Sequence, residues 1–278
     1  MTTFEQKSDV KEEKEEMQQS SSSIFTEFKR NKLELEARKN WDRFYKRNSN
    51  NFFKDRNWTR REIEQLCGQD VDLTAPLTVL DAGCGCGNTL FPLAKCFSNW
   101  QFCGIDFSPN ALSLLQQRAT ELGTSVRTEL MDLLDESPSN CALPGADLAT
   151  LIFVLSSISL EHQAKFVRNL RKFLKPSGSV VFRDYGVSDH AMLRFSDKSK
   201  ISERFFVRQD GTRAYFFYPE EVSSLFESCG FETVKCGHVN RTTENIKEQI
   251  RINRVFVEGS PLPKNFPYMS YCDMCTSD

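Results

Sequence analysis

Residues 81–88 read Asp-Ala-Gly-Cys-Gly-Cys-Gly-Asn, and Asp106 stands 23 positions beyond Gly83. Alternating glycines suit a turn in which backbone must approach a ligand closely and take positive φ angles. A carboxylate such as Asp106 can accept hydrogen bonds from both hydroxyls of a ribose. Together they describe nucleoside binding. A nicotinamide dinucleotide turn needs its third glycine after a two-residue gap. Counted from Gly83 and Gly85 that position is Asn88, and from Gly85 and Gly87 it is Leu90. The spacing therefore fits the nucleoside-bearing methyl donor of a methyltransferase better; a glycine-rich turn with no ligand is the bland alternative.

These residues need a scaffold, and the surrounding pattern supplies one. Leu77–Leu80, after Pro76, is a short β-rich run leading into the glycines, with a helix from about Thr89 to Phe97. Trp100–Ile105 predicts a second strand ending at Asp106. Ser108 and Pro109 suit the cap and first residue of a helix reaching about Leu122. A third strand is expected near Ser125–Met131, and the apolar run Asp147–Val154 reads as a central parallel strand. An amphipathic helix, Glu161–Leu174, is stopped by Lys175-Pro176-Ser177-Gly178, before a fifth strand at Ser179–Arg183. This alternation argues for an α/β fold, a mostly parallel sheet with helices on both faces. Beyond it come a hairpin at 204–218, a helix at about 219–229, and strands near Glu232–Val239 and Arg254–Glu258. Upstream, Ile24 to about Asn48 is helical, with Ala37, Trp41, Phe44 and Tyr45 on one face.

The hairpin carries a specific expectation. Asp210-Gly211 is a favoured two-residue turn. It would set Gln209 opposite Thr212 and Arg208 opposite Arg213. Like charges facing across strands destabilise a hairpin, so a phosphate held between them would explain the pair. The alternative is that each arginine leans to its own carboxylate.

Bulk properties narrow the class. With 39% hydrophobic and 27% charged residues, the 278-residue chain suits a soluble globular protein. No run reaches the ~18 apolar residues of a membrane span. The start is acidic and polar, unlike a signal or transit peptide, which points to the cytoplasm, with the nucleus also open. Ten cysteines without signs of secretion read as reduced thiols. Cys272 and Cys275 form a single C-x-x-C with no second pair, so no metal site is expected. The net charge of −2 hides segregation: residues 24–61 hold twelve Lys/Arg against five Asp/Glu, 62–167 four against thirteen, and 168–213 eleven against five. Two basic stretches around an acidic one point to an anionic partner; solvated helix faces are the alternative. The expected organisation is a disordered acidic tail (1–23), a basic helical segment (24–75), the main α/β domain (76–259) and a C-terminal tail (260–278).

The glycine run resembles motif I of the class I methyltransferases, a Rossmann-like fold with a seven-stranded sheet, and Asp106 resembles their ribose-binding acid. The likeness goes further. Residues 39–48, Asn51-Phe52-Phe53-Lys54-Asp55-Arg56, Phe182-Arg183-Asp184-Tyr185-Gly186, 189–195 and 206–213 resemble blocks of the eukaryotic tRNA 3-methylcytidine methyltransferases, over roughly residues 24–258. The short extension before them is similar to the subgroup acting on serine tRNA. The resemblance implies S-adenosylmethionine as cofactor, cytidine 32 of the anticodon loop as target, seryl-tRNA synthetase as a candidate partner, and a monomer. It further implies cofactor contacts from Trp41, Tyr45, Gly83, Gly85, Asp106, Asp132, Leu133 and Ile152. Trp41 and Tyr45 share a helical face at i, i+4, which equally suits a core-packing pair.

Methyl transfer needs alignment and exclusion of water rather than a strong base, because the cytosine ring nitrogen already carries a lone pair. The product is cationic, so a carboxylate could stabilise developing charge. Asp184 and Asp189, after strand five, are the catalytic candidates; each is equally readable as a capping or surface carboxylate. Arg56, Arg183, His190, Arg208 and Arg213 are the candidate RNA contacts, with His190 also readable as a satisfied polar residue.

Overall fold

The computed structural model describes residues 27–49, 55, 60–67, 71–135, 143–245 and 250–264. The expected tail 1–23, residues 265–278 of the expected C-terminal tail with Cys272 and Cys275, and Arg56 lie outside them. A seven-stranded sheet forms the centre: β1 (Thr78–Ala82), β2 (Gln101–Asp106), β3 (Val126–Leu130), β4 (Ala146–Ile152), β5 (Leu174–Tyr185), β9 (Phe231–Asn245) and β10 (Ile250–Pro263). Their order is β3-β2-β1-β4-β5-β10-β9. β1 to β5 run parallel, while β10 is antiparallel to both neighbours. The chain winds outward through β2 and β3 on one side of β1 and through β4 and β5 on the other. The switch point, where such sheets open a ligand crevice, is at the carboxyl ends of β1 and β4.

Period-two alternation divides the core between the two faces. Leu80, Ala82, Leu151, Val180 and Phe182 pack with α6 (Leu160–Arg171) and α8 (Pro219–Ser228). Val79, Phe102, Leu148, Ile152 and Val181 pack with α3 (Arg60–Cys67), α4 (Leu90–Cys96) and α5 (Pro109–Glu121). Ser108 caps α5 as expected, its hydroxyl accepting from Ala111 N at 3.1 Å. β5 starts earlier than the sequence suggests. Leu174 pairs with Ala146 and Ser179 with Leu148, so Lys175–Gly178 forms an irregularity within a longer strand instead of ending a helix and starting a loop. β10 likewise runs to Pro263, through the expected start of the tail at residue 260.

The expected helix over 24–48 is two: α1 (Glu27–Leu35) and α2 (Ala37–Asn48), parted at Glu36. α2 buries Asn40, Phe44 and Tyr45, whereas α1 buries none of its residues. After β5 come a short helix α7 (His190–Leu193) and a small sheet of β6 (Lys200–Ser202), β7 (Phe205–Val207) and β8 (Arg213–Tyr215).

The hairpin register differs from expectation. Val207, not Arg208, faces Arg213. Arg208 N bonds Thr212 O at 2.7 Å and Gly211 N bonds Arg208 O at 3.0 Å, with Gly211 at φ 83°. Asp210 accepts from Thr212 N and Oγ1 at 2.9 and 2.7 Å. The connection is thus a three-residue loop with a left-handed glycine at its end, an equally regular use of Asp-Gly. A one-residue slip exchanges the faces of a strand. Arg213 consequently points inward, 5% exposed, and the expected facing pair of arginines does not form.

Candidate active site

At the switch point two adjoining cavities meet. The larger, about 280 Å³, is lined by Glu34, Trp41, Asp106, Asp132, Leu133 and Arg213 among others. The smaller, about 60 Å³, is lined by Trp41, Tyr45, Asp81, Gly85, Ile152 and Phe153 among others. Trp41 and Gly83 belong to both walls. All eight expected cofactor residues are therefore brought together around one crevice.

The glycine turn is tight because α2 lies against it. Gly85 is at φ 53°, and a Cβ there would collide with the Tyr45 hydroxyl. Asp106 Oδ2 accepts from Gly85 N and Oδ1 from Ser108 N, each at 2.9 Å. Burial pushes the Asp106 carboxyl up to about 6, against these backbone bonds, which favour the charged form. Burial also raises Asp132, whose Oδ1 accepts from Leu134 N at 2.9 Å. Tyr45 is raised well above the ordinary phenol range by burial and by nearby Asp106, so it is a neutral wall rather than a base.

The donor set suits S-adenosylmethionine: Asp106 for ribose hydroxyls, Asp132 for the adenine edge, and a carboxylate, Asp81, in the smaller cavity for the cationic amino-acid end. Asp81 accepts from Thr150 Oγ1 at 2.6 Å. No role was assigned to it from sequence, although an acid inside the apolar run 77–82 was a usable signal. Asp42 was also missed. It accepts from Ser108 Oγ at 2.8 Å, Asn110 N at 3.1 Å and Asn110 Nδ2 at 2.8 Å, pinning α2 to the start of α5. Against the burial that would raise it, these bonds hold its carboxyl below the usual range.

Comparison with known proteins agrees with this geometry. A family model described as a methyltransferase domain matches residues 80–180. The human tRNA N(3)-cytidine methyltransferase METTL6 is 46% identical over 262 residues, spanning 91% of this chain and 90% of its own. The chain belongs to the tRNA N(3)-cytidine methyltransferases. A Saccharomyces cerevisiae relative, a tRNA(Thr) (cytosine(32)-N(3))-methyltransferase, is 34% identical over 257 residues, 88% of this chain and 41% of its own. A solved SAM-dependent methyltransferase from Methanosarcina mazei shares the fold, with TM-score 0.56 and 18% identity over 75% of this chain and 99% of its own.

On the acceptor side of this tRNA N(3)-cytidine methyltransferase, the two catalytic candidates separate. Asp184 is fully buried; its Oδ2 accepts from Ser156 N and its Oδ1 from Tyr185 N, both at 2.9 Å. Burial pushes it up to about 6, and Arg208 is among the groups that oppose the shift. The next residue, Tyr185, forms an aromatic group with Phe153 and Phe256, at centroid distances of 4.9 and 6.5 Å. Phe153 holds φ 60°, a strained setting for a bulky residue and one that clusters at functional sites. Asp189 is instead a clip. It caps α7 by accepting from Ala191 N and ties β10 through Arg254 Nε and Val255 N, all at 2.8 Å. His190, half-exposed, opens α7.

The arginines also separate. Arg183 faces Glu258 across β5–β10 and pairs with it, largely buried. Arg213 pairs with Glu34 and lines the cofactor cavity, a tie between residues 179 positions apart that no local pattern announces. Arg208 sits over Tyr185, 5.8 Å from the ring centre, and lines an open groove of about 830 Å³ with Arg47, Arg194, Gln209 and Asp210. Its guanidinium donates to Arg213 O at 2.8 Å and Thr212 Oγ1 at 3.3 Å.

Proposed function

We propose that this S-adenosylmethionine-dependent methyltransferase modifies N3 of cytidine 32 in the anticodon loop of serine tRNA, acting as a monomer in the cytoplasm or nucleus with seryl-tRNA synthetase as a partner. The observation that carries the reading is the contiguity of three features. They are a nucleoside cavity ended by Asp106, an aromatic group at Phe153 and Tyr185, and a groove bearing Arg47, Arg194 and Arg208.

When bound, S-adenosylmethionine supplies an electrophilic methyl group. Asp106 and Asp132 hold its nucleoside, Asp81 balances its ammonium, and Trp41 and Tyr45 shut out water from above the glycine turn. The Phe153–Tyr185 group offers a stacking surface to a cytosine turned out of the loop, as enzymes working on bases require. The ring nitrogen brings its own lone pair, so no residue need remove a proton before the carbon–nitrogen bond forms and the sulfur–carbon bond breaks. Asp184, ionised above about pH 6, lies beneath that surface and can balance the positive charge the base acquires. Arg47, Arg194 and Arg208 provide the sequence-independent phosphate contacts.

The test is methylation of purified serine and threonine tRNAs by the purified protein, with and without seryl-tRNA synthetase, read by mass spectrometry of the nucleosides. Formation of 3-methylcytidine at position 32 of serine tRNA, enhanced by the synthetase, is expected. Threonine tRNA as the preferred substrate, or no effect of the synthetase, would overturn the corresponding part of the assignment.

A further inference from the structure

The hairpin β7–β8 touches both sides of the enzyme. Its tip residues Arg208, Gln209 and Asp210 line the open basic groove. Its opposite side meets the two N-terminal helices that wall the cofactor cavity, at two points. At the foot, buried Arg213 pairs with Glu34 of α1. At the tip, Asn40 of α2, 7% exposed, donates to Gly211 O at 3.3 Å. The fit there is close: a Cβ on Gly211 would lie 2.6 Å from Asn40 Nδ2.

α1 depends on such ties. It buries no residue fully, and its further long-range ties include Arg30 donating to Ile201 O at 2.9 Å and Glu34 Oε1 meeting His162 Nδ1 at 3.0 Å. Leu35, at its end, is 85% exposed although it lines the cofactor cavity. A cofactor in that cavity would cover Leu35 and add to the apolar contact that half-buried Leu33 makes with the core. α2 is pinned independently by Asp42 to the helix that follows Asp106.

We propose that Glu34, Asn40 and Arg213 are positioning residues that couple the two substrates: cofactor binding settles α1 and α2, and through these ties sets the hairpin tip for tRNA. The inference rests on the reading of the groove as the tRNA site. Coupling between sites is reciprocal, so tRNA in the groove tightens the cofactor by the same factor. Neither ligand touches Asn40 on this account: it lines neither cofactor cavity nor the groove. Its effect is therefore visible only in how one site responds to the other.

The experiment measures S-adenosylhomocysteine affinity by calorimetry with and without saturating serine tRNA, and tRNA affinity with and without S-adenosylhomocysteine. The wild-type protein should show equal tightening in both directions, at least about fivefold. Asn40→Ala should bring the factor toward one while changing the affinity for S-adenosylhomocysteine alone less than about twofold. Glu34→Gln, which keeps a hydrogen-bonding group but loses the charge, should reduce the factor too. Arg213→Lys, which keeps the charge, should retain more of it. A wild-type protein that binds tRNA with no tightening would overturn the coupling alone, as would full tightening in both Asn40→Ala and Glu34→Gln. Failure of the wild-type protein to bind tRNA at all would overturn the assignment of the groove and the coupling with it.

Discussion

Replacing Asp106 by asparagine should weaken the cofactor while relieving the protein of a buried charge. The carboxyl is held at about 6 against an ordinary value of 3.8. At pH 7.5 a shift of that size corresponds to about 3 kcal/mol spent in keeping the group ionised inside the fold. Asparagine removes this cost. Its amide oxygen can accept from Gly85 N or Ser108 N but not both, and the unmatched buried donor costs about 1–3 kcal/mol. The balance at pH 7.5 lies between zero and about 2 kcal/mol in favour of the variant, a rise in Tm of up to about 4 °C. The pH dependence fixes the sign. Because the folded value is the raised one, the wild-type contribution is full below about pH 4 and is lost as pH rises through about 6. The variant's advantage should therefore be about 1 kcal/mol smaller at pH 5 than at pH 7.5. Asp184 carries a similar shift but is common to both proteins and cancels in the difference. Losing a charged acceptor for ribose costs about 1.5–3 kcal/mol per hydroxyl, so S-adenosylhomocysteine should bind at least about tenfold more weakly. Thermal unfolding across pH 5–7.5 and calorimetry at pH 7.5 test both halves. An unchanged cofactor affinity, or a stability difference that does not vary with pH, would refute the reasoning.

The two neighbouring carboxylates should behave differently. Asp189→Ala strands Arg254 and Val255 N and removes the cap of α7, which should cost about 3 kcal/mol of stability with little change in turnover per folded molecule, as read by denaturant unfolding and active-site titration. Asp184→Asn should lower kcat at least tenfold with KM for tRNA little changed; an unaltered kcat would remove it from the chemistry. Arg194→Ala and Arg208→Ala should weaken tRNA binding and each reduce the slope of log affinity against log salt by about one, measured by titration at several ionic strengths.

Much of the fold was legible because its signals are local. The buried strands read as apolar runs, Ser108-Pro109 marked a helix start, and Gly83, Gly85 and Asp106 sit where their spacing put them. The failures are tertiary choices among locally equal options. Asp210-Gly211 can close a two- or a three-residue loop, and the packing of Gly211 on Asn40 and of Arg213 on Glu34 accompanies the longer one. Arg183 looks like any basic residue at a strand end until β10 places Glu258 beside it. The break at Glu36 has no glycine or proline to announce it; it falls between α1, which buries no residue fully, and α2, which buries Asn40, Phe44 and Tyr45.

The position of β10 has a consequence for the growing chain. It lies between β5 and β9 in space but follows both in sequence. From the moment β5 leaves the ribosome until β10 arrives, its outer edge has no strand to bond with. β9 cannot take the place, because its own slot is one strand further out and runs in the opposite sense to β10. The centre of β5, Val180, Val181 and Phe182, is fully buried in the finished protein. During synthesis it is the apolar, open-edged surface that invites pairing with another chain. A nascent chain stalled before Ile250 has therefore lost the strand that joins two parts of its sheet, and what remains is a candidate for chaperones.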